Sequence, residues 1–175
     1  MTDPHAFLVG GGEVGAIMRR IDWAGTPLGP MADWGQSLKT AVSITLRSPT
    51  PIVMMWGPDG ILIYNDAYAE FAGGRHPAIF GLPATEAWPE IAAHNRRMID
   101  TGLAGQTVSL RDQLMMLNRR GTPEEVFAKG SVRELYGLTA GSYDERFGSL
   151  ELEPVRGEPQ ALVVGGGGSG IALYR

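Results

Sequence analysis

Proline and glycine interrupt this chain at short intervals, and these interruptions limit its fold more than any other feature. The sequence of 175 residues contains 25 Gly and 12 Pro, and both residue types cluster between apolar runs. Proline fixes φ and removes a backbone donor, whereas glycine accepts the positive φ of tight turns. The pattern therefore predicts short helices and strands joined by turns, with no apolar stretch of the roughly 20 residues that cross a bilayer.

The first periodic segment is an amphipathic helix predicted over residues 34–47. Trp34, Leu38 and Val42 recur on one side of this helix, and Asp33 is placed to cap its first turn. A lone surface helix could not leave such an apolar stripe in water. We therefore expect the helix to dock on the sheet or to form part of a homodimer interface.

Two hairpins are predicted from apolar runs that flank turn residues. Residues 52–56 and 61–64 lie on either side of the turn at 57–60, where Pro presets φ and Gly accepts a positive φ. Residues 150–155 and 160–164 form a second pair of the same kind. These runs indicate antiparallel strands at both ends of the domain.

Helical segments and a further strand separate the two hairpins. Residues 90–103 are predicted to form a helix, and residues 107–117 are predicted to form a strand. Strands grouped on both sides of a helical middle favour an α+β fold. We expect an antiparallel sheet of about five strands with short helices on one face and an N-terminal helical extension.

Composition narrows the function classes. The chain has no cysteine, which excludes disulfides, thiolate metal sites and cysteine nucleophiles. Its formal charge is −4 with acidic and basic residues interspersed, so nucleic acid is not an expected partner. The first residues lack the basic and apolar regions of a signal peptide, and we therefore expect a cytoplasmic protein without membrane insertion.

Several short motifs together resemble the PAS domains found at the N-terminus of bacterial sensor histidine kinases. The resemblance runs continuously from Phe7 to Glu125. Its residues are Gly10-Gly11-Gly12-Glu13, Asp22-Trp23, Thr26-Pro27-Leu28-Gly29-Pro30, Trp34 with Ser37-Leu38, Trp56-Gly57-Pro58-Asp59, Tyr64-Asn65-Asp66-Ala67-Tyr68, His76-Pro77 with Gly81, Trp88-Pro89-Glu90-Ile91, and Arg119-Arg120-Gly121 with Glu124-Glu125.

The resemblance implies both a domain division and a function. Residues 1–48 would be an N-terminal extension that carries the amphipathic helix. Residues 49–175 would be a PAS-like sensory domain in which about 127–146 are an insertion. The implied function is two-component signal transduction, in which a homodimeric sensor binds a small molecule or a partner. The change would then pass to a kinase or another output domain that is not in this chain.

A ligand pocket is expected between the inner face of the sheet and the helix over 85–103. Its candidate lining residues come from the strands and helices that would face each other across this space. They are Tyr64, Phe71, Trp88, His94, Met98, Leu110 and Arg111. No cofactor is expected in this pocket under the main hypothesis.

A haem-based gas sensor is an alternative hypothesis for the same pocket. His94 shares a helical face with Ile91 and Met98, and a neutral imidazole on an apolar wall is a suitable axial ligand for iron. In haem-binding PAS sensors the proximal histidine is similarly placed, and Arg111 would match their distal arginine. Strand alternation places Arg111 on the opposite face from Leu110 unless a β-bulge intervenes.

A nucleotide-binding enzyme is the second alternative. Gly10-x-Gly12-x-x-Gly15 satisfies the dinucleotide fingerprint as a string, but only Phe7–Val9 precedes it where a full strand is needed. No nucleophile–base constellation or kinase motif is present, so we expect no enzymatic activity. His76 has no second ligand at metal-binding spacing and is interpreted as a loop histidine.

Overall fold

The fold is α+β and is assembled from short elements. The computed structural model describes residues 5–106, 109–131, 161–162 and 173–174. Five α-helices lie in these ranges: α1 (Gly12–Met18), α2 (Gln36–Arg47), α3 (Asp66–Ala72), α4 (Ala84–Ala87) and α5 (Ala92–Leu103). Short 3-10 turns precede or link several of them. Within these ranges no helix is long and apolar enough to cross a membrane.

The strands form hairpins instead of the single sheet of about five strands that the sequence predicts. β1 (Val53–Trp56) pairs antiparallel with β2 (Ile61–Tyr64). β3 (Ser109–Asn118) pairs antiparallel with β4 (Pro123–Ser131), and β5 (Ala161–Leu162) pairs with β6 (Leu173–Tyr174). The described strands therefore form three two-stranded sheets, and the expectation of a five-stranded PAS-like sheet is wrong.

A loop closes the outer edge of β2 and explains part of this difference. The amide of Leu62 donates to the carbonyl of Leu82 at 2.9 Å, and the amide of Gly81 donates to the carbonyl of Leu62 at 2.9 Å. Pro83 also forms an isolated bridge with Ile61. Because these groups are already paired, no further strand can be added at this edge.

The β3–β4 hairpin is held to the helical region at its turn instead of along a strand edge. The amide of Gly74 donates to the carbonyl of Arg119 at 3.0 Å. Residues 150–155, 160 and 163–164 of the predicted second hairpin lie outside the described residues, as do residues 132–146 of the predicted insertion. Within the described ranges β5 lies beside β1, although the strand it pairs with is β6.

One hydrophobic core includes side chains from both the N-terminal segment and the region after residue 49. Leu8, Val14 and Met18 are buried together with the first hairpin. The indole of Trp23 donates to the carbonyl of Met18 at 2.9 Å. Because that donor is satisfied, the large ring can be buried without leaving an unpaired polar group.

Helix α2 is buried within the same chain through its apolar stripe. Trp34 and Leu38 are each 5% exposed and Val42 is 0% exposed. The helix begins at Gln36 with Gly35 as its N-cap, so the expectation that Asp33 caps it is wrong. Asp33 instead ends a 3-10 turn, and the extended backbone of Trp34 follows it, which delays the start of the helix.

Asn65 is a buried amide that bonds four backbone groups, three of them in residues 48–52 and one in α3. Its Oδ1 accepts from the amide of Tyr68 at 3.0 Å, which caps α3, and from the amide of Ile52 at 3.0 Å. Its Nδ2 donates to the carbonyls of Ser48 and Thr50 at 3.0 and 2.6 Å. The residue is 1% exposed, so water cannot replace these bonds without local opening.

We expect Asn65→Ala to lower the free energy of unfolding by about 3 kcal/mol, because it removes an N-cap and leaves backbone groups unpaired. Urea unfolding followed by circular dichroism measures this loss. Glu70→Gln, on the exposed side of α3, is the control and should change stability by less than about 0.5 kcal/mol. A loss below about 1 kcal/mol for Asn65→Ala would contradict the central role of this amide.

Candidate functional site

Three of the predicted pocket residues lie in one row of aromatic rings. Ring centroids are separated by 5.1 Å between Tyr64 and Tyr68, 5.2 Å between Tyr68 and Phe71, and 6.4 Å between Phe71 and Trp88. Tyr64 and Trp88 are buried. Burial raises the pKa of the hydroxyls of Tyr64 and Tyr68. Tyr68, which the sequence analysis did not place in the pocket, joins these rings into a continuous packed row.

His94 lies at the edge of the buried face of α5. The buried positions of this helix are Asn95, Met98, Ile99 and Gly102, so the buried stripe is displaced by one residue from His94. A 3-10 turn containing Ile91 precedes α5, and the helical spacing assumed from Ile91 to His94 is therefore interrupted. Met98 is buried, whereas His94 is only partly buried.

The environment of His94 favours its neutral form. Partial burial lowers the pKa of the imidazole, and the positive charge of Arg97 lowers it further. The backbone of Leu110 and Arg111 belongs to β3, and the register of the β3–β4 pair shifts between Leu110 and Gln113. Their side chains lie outside the described part of the chain.

His76, interpreted above as a loop histidine, contacts two separate elements. Its Nδ1 forms a 3.0 Å hydrogen bond with the hydroxyl of Tyr64. Its Nε2 is buried without a hydrogen-bond partner among the described residues and lies 3.9 Å from a carboxylate oxygen of Glu13. The ring thus links β2 to the beginning of α1.

Arg75 organises a polar cluster that the sequence analysis missed. Its guanidinium forms a bidentate ion pair with Glu90 at 2.9 and 3.0 Å and lies 4.8 Å from the centroid of the Trp88 ring. Glu90 also accepts from the amide of Asn118 at 2.7 Å. The cluster joins the loop after α3, the turn before α5 and the end of β3. The residues are far apart in sequence, so no local pattern could reveal the cluster.

Arg119 attaches the hairpin turn to the aromatic row. Its guanidinium pairs with Glu124 across the turn, donates to the carbonyl of Phe71 at 3.2 Å and lies 5.0 Å from the centroid of the Phe71 ring. This contact and the Arg75 cluster hold the same end of the hairpin. A displacement of that end must therefore break charge-assisted hydrogen bonds.

The glycine-rich start is occupied by a carboxylate of the same chain. Asp66 accepts from the amides of Glu13 and Val14 at 3.0 and 2.8 Å, which are the donors at the N-terminus of α1. A Cβ at Gly12 would overlap this carboxylate. Asp66 thus takes the place that a phosphate would need, and this geometry opposes the nucleotide-binding alternative.

A half-open cleft of about 270 Å³ lies between the proline-rich segment, the start of α2 and the turn of the first hairpin. Buried apolar side chains form its floor, and exposed carboxylates stand at its rim. The floor residues are Trp34, Leu38, Trp56 and Ile61, and the rim residues are Asp33 and Asp59.

The cleft does not coincide with the pocket predicted from sequence. Its walls come from residues 27–38 and 56–61, two stretches that supplied motifs of the family resemblance. The motifs were interpreted separately, because nothing in either stretch indicates that the two segments face each other.

No protein-family model matches this chain, and no curated protein is significantly similar to it.

We expect Gly12→Ala to destabilise the protein more than Gly29→Ala does. Both glycines have positive φ, at 58° and 65°, but only Gly12 faces the Asp66 carboxylate, whereas open space surrounds Gly29. The shared backbone strain is about 1–2 kcal/mol. Loss of the cap adds about 1 kcal/mol or more to Gly12→Ala. Equal losses in parallel urea titrations would show that Asp66 does not stabilise α1.

We expect the contribution of His94 to stability to be lost as the pH falls below its ordinary pKa of 6.5. Because the folded state lowers the pKa of His94, the unfolded chain binds the proton more tightly. Acidification therefore favours the unfolded state and lowers the free energy of unfolding. Urea titrations between pH 7.5 and about 5 measure this slope. His94→Gln should flatten it, and Ala93→Gln, at the exposed neighbouring position, should retain it. An unchanged slope in His94→Gln would refute this assignment.

Proposed function

We propose that this chain is a sensory relay module that binds a small molecule in the cleft and passes the change to an output domain. The proposal agrees with the resemblance to sensor kinases, because motifs that carry this resemblance also line the cleft. In this view the module acts in the cytoplasm within two-component signalling, has no catalytic activity of its own and works as a homodimer.

One observation supports this proposal most directly: the turn that forms one wall of the cleft also packs on α5. Gly60 has a positive φ of 61° and lies against Ile99 so closely that a Cβ would overlap that side chain. The carbonyl of Pro58 accepts from the guanidinium of Arg96 at 2.9 Å. A ligand that moves this wall therefore acts directly on the helix.

Helix α5 in turn leads to the β3–β4 hairpin. It ends at Leu103, and β3 begins at Ser109, only a few residues later. The other end of β3 is held by Glu90, in the turn immediately before α5. Movement of α5 thus affects both ends of the strand, which makes the hairpin a suitable output element.

The relay requires two states with different affinity for the ligand. A ligand that bound both states equally would shift nothing, however tightly it bound. The cleft meets this requirement if its width differs between the states, because its two walls belong to segments separated in sequence. Packing of the turn against Ile99 then couples cleft width to the position of α5.

We expect a compound that protects the amides of Gly57, Asp59 and Gly60 from hydrogen exchange also to alter exchange within α5. A fragment screen monitored by mass spectrometry of exchanged protein identifies such compounds. Arg96→Gln should retain the binding but weaken the response of α5, because it removes the charged donor to Pro58. Glu86→Gln, at an exposed position of α4, is the control and should retain both effects.

Two results would contradict the proposed relay. The first is a screen in which no compound protects the turn. The second is a set of cleft binders that leave exchange in α5 unchanged. Equal responses of α5 in the wild type and in Arg96→Gln would show that the bond to Pro58 does not couple the cleft to α5. Packing between Gly60 and Ile99 would then carry that coupling.

A further inference from the structure

We infer that the cleft takes a small organic cation, with an ammonium or guanidinium group at the carboxylate rim and an apolar part on the indole floor. The inference depends on the proposed function, because it concerns the ligand of the same cleft.

The rim carries two carboxylates that form no direct ion pair with the described residues. Asp33 and Asp59 are exposed, and their side chains form no ion pair or hydrogen bond with the described residues. Both carboxylates border the same cleft from opposite segments. A cation placed between them would be attracted by both, and the low-dielectric floor would strengthen that attraction.

The N-terminus of α2 also borders the cleft, and its partial positive charge favours an anion. Gly35 and Leu38 are among the lining residues, and Gly35 supplies no side-chain cap. A helix N-terminus is equivalent to about +0.5 elementary charge. Two aspartate carboxylates line the same cleft. Their two negative charges outweigh the partial positive charge of the helix end.

Two basic side chains bond to backbone next to the rim aspartates but are engaged by other partners. Arg96 forms an ion pair with Asp100 at 2.6 Å and donates to the carbonyl of Pro58. Lys39 donates to the carbonyl of Ala32 at 3.3 Å. Neither residue lines the cleft. These cations reduce the negative potential at the rim but do not occupy the space between the two carboxylates.

The floor suits the apolar part of such a cation. Trp34 and Trp56 both line the cleft, and indole is the aromatic group that attracts cations most strongly. The indole nitrogen of Trp34 already donates to the carbonyl of Gly29 at 2.9 Å, which fixes the ring in place. The ring therefore offers the ligand carbon surface and not a hydrogen-bond donor.

The size of the cleft limits the ligand to a small molecule or a single side chain. Its volume of about 270 Å³ is below the roughly 300–1,000 Å³ typical of drug-sized pockets. One ring or a short alkyl chain with a charged end fits this space. Free amines and the side chain of a lysine in another protein share this chemistry.

Three probes of one shape and different charge test the inference. Benzylamine, benzyl alcohol and benzoate are titrated separately at pH 7 while amide and indole NMR signals of the protein are followed. We expect benzylamine to bind at the cleft at least tenfold more tightly than either analogue. Asp33→Asn and Asp59→Asn should each weaken it several-fold, and the double variant should abolish the preference for the cation. Glu70→Gln removes one negative charge elsewhere and should leave the affinity unchanged.

A blocked Gly-Lys-Gly peptide distinguishes the two sources of the cation. Binding at least as tight as that of benzylamine indicates a lysine side chain, whereas weaker binding indicates a free amine, and either result supports the inference. Equal affinity for benzyl alcohol, preference for benzoate or unchanged benzylamine binding in the double variant overturns it. Failure of benzylamine to bind also overturns it. If benzyl alcohol binds as tightly as benzylamine and alters α5, the proposed relay stands but the preference for a cation is contradicted.

Discussion

Two adjacent side chains, Asn65 and Asp66, provide the constraint on which the rest of the fold depends. Asn65 fixes the end of the first hairpin to the loop after α2 and caps α3, while Asp66 caps α1 from a distance of more than fifty residues. Asn65 accepts from the amide of Ile52, and Asp66 accepts from amides of α1, so both side chains satisfy backbone donors that are distant in sequence. The N-terminal segment and the hairpin therefore share one core and not two independent ones.

Much of the local structure could be predicted, because its causes are local. The turn at 57–60, the two strands beside it and the apolar stripe of α2 follow from residue types that act within a few positions. The predicted start of α2 is wrong, because the residue type of Asp33 suits an N-cap but the backbone around it does not. Trp34 stays extended after Asp33, so the helix begins later.

The sheet and the site could not be predicted in the same way. The edge of β2 is closed by backbone groups of residues 81–83, and a loop of that composition has no strand signal. The ion pair of Arg75 with Glu90 and the cleft between two distant segments likewise depend on contacts across the fold. The aromatic residues of the predicted pocket are neighbours only in part: Phe71 contacts Trp88 directly, whereas Tyr68 joins Tyr64 to Phe71.

The carboxylate of Asp66 beneath Gly12 has a consequence for how this chain can change over evolutionary time. A side chain at position 12 would overlap the carboxylate at position 66, so the aspartate requires the glycine. The two positions should therefore covary among related sequences. A glycine fingerprint of this kind can accommodate an internal carboxylate, so the string alone does not identify a nucleotide site.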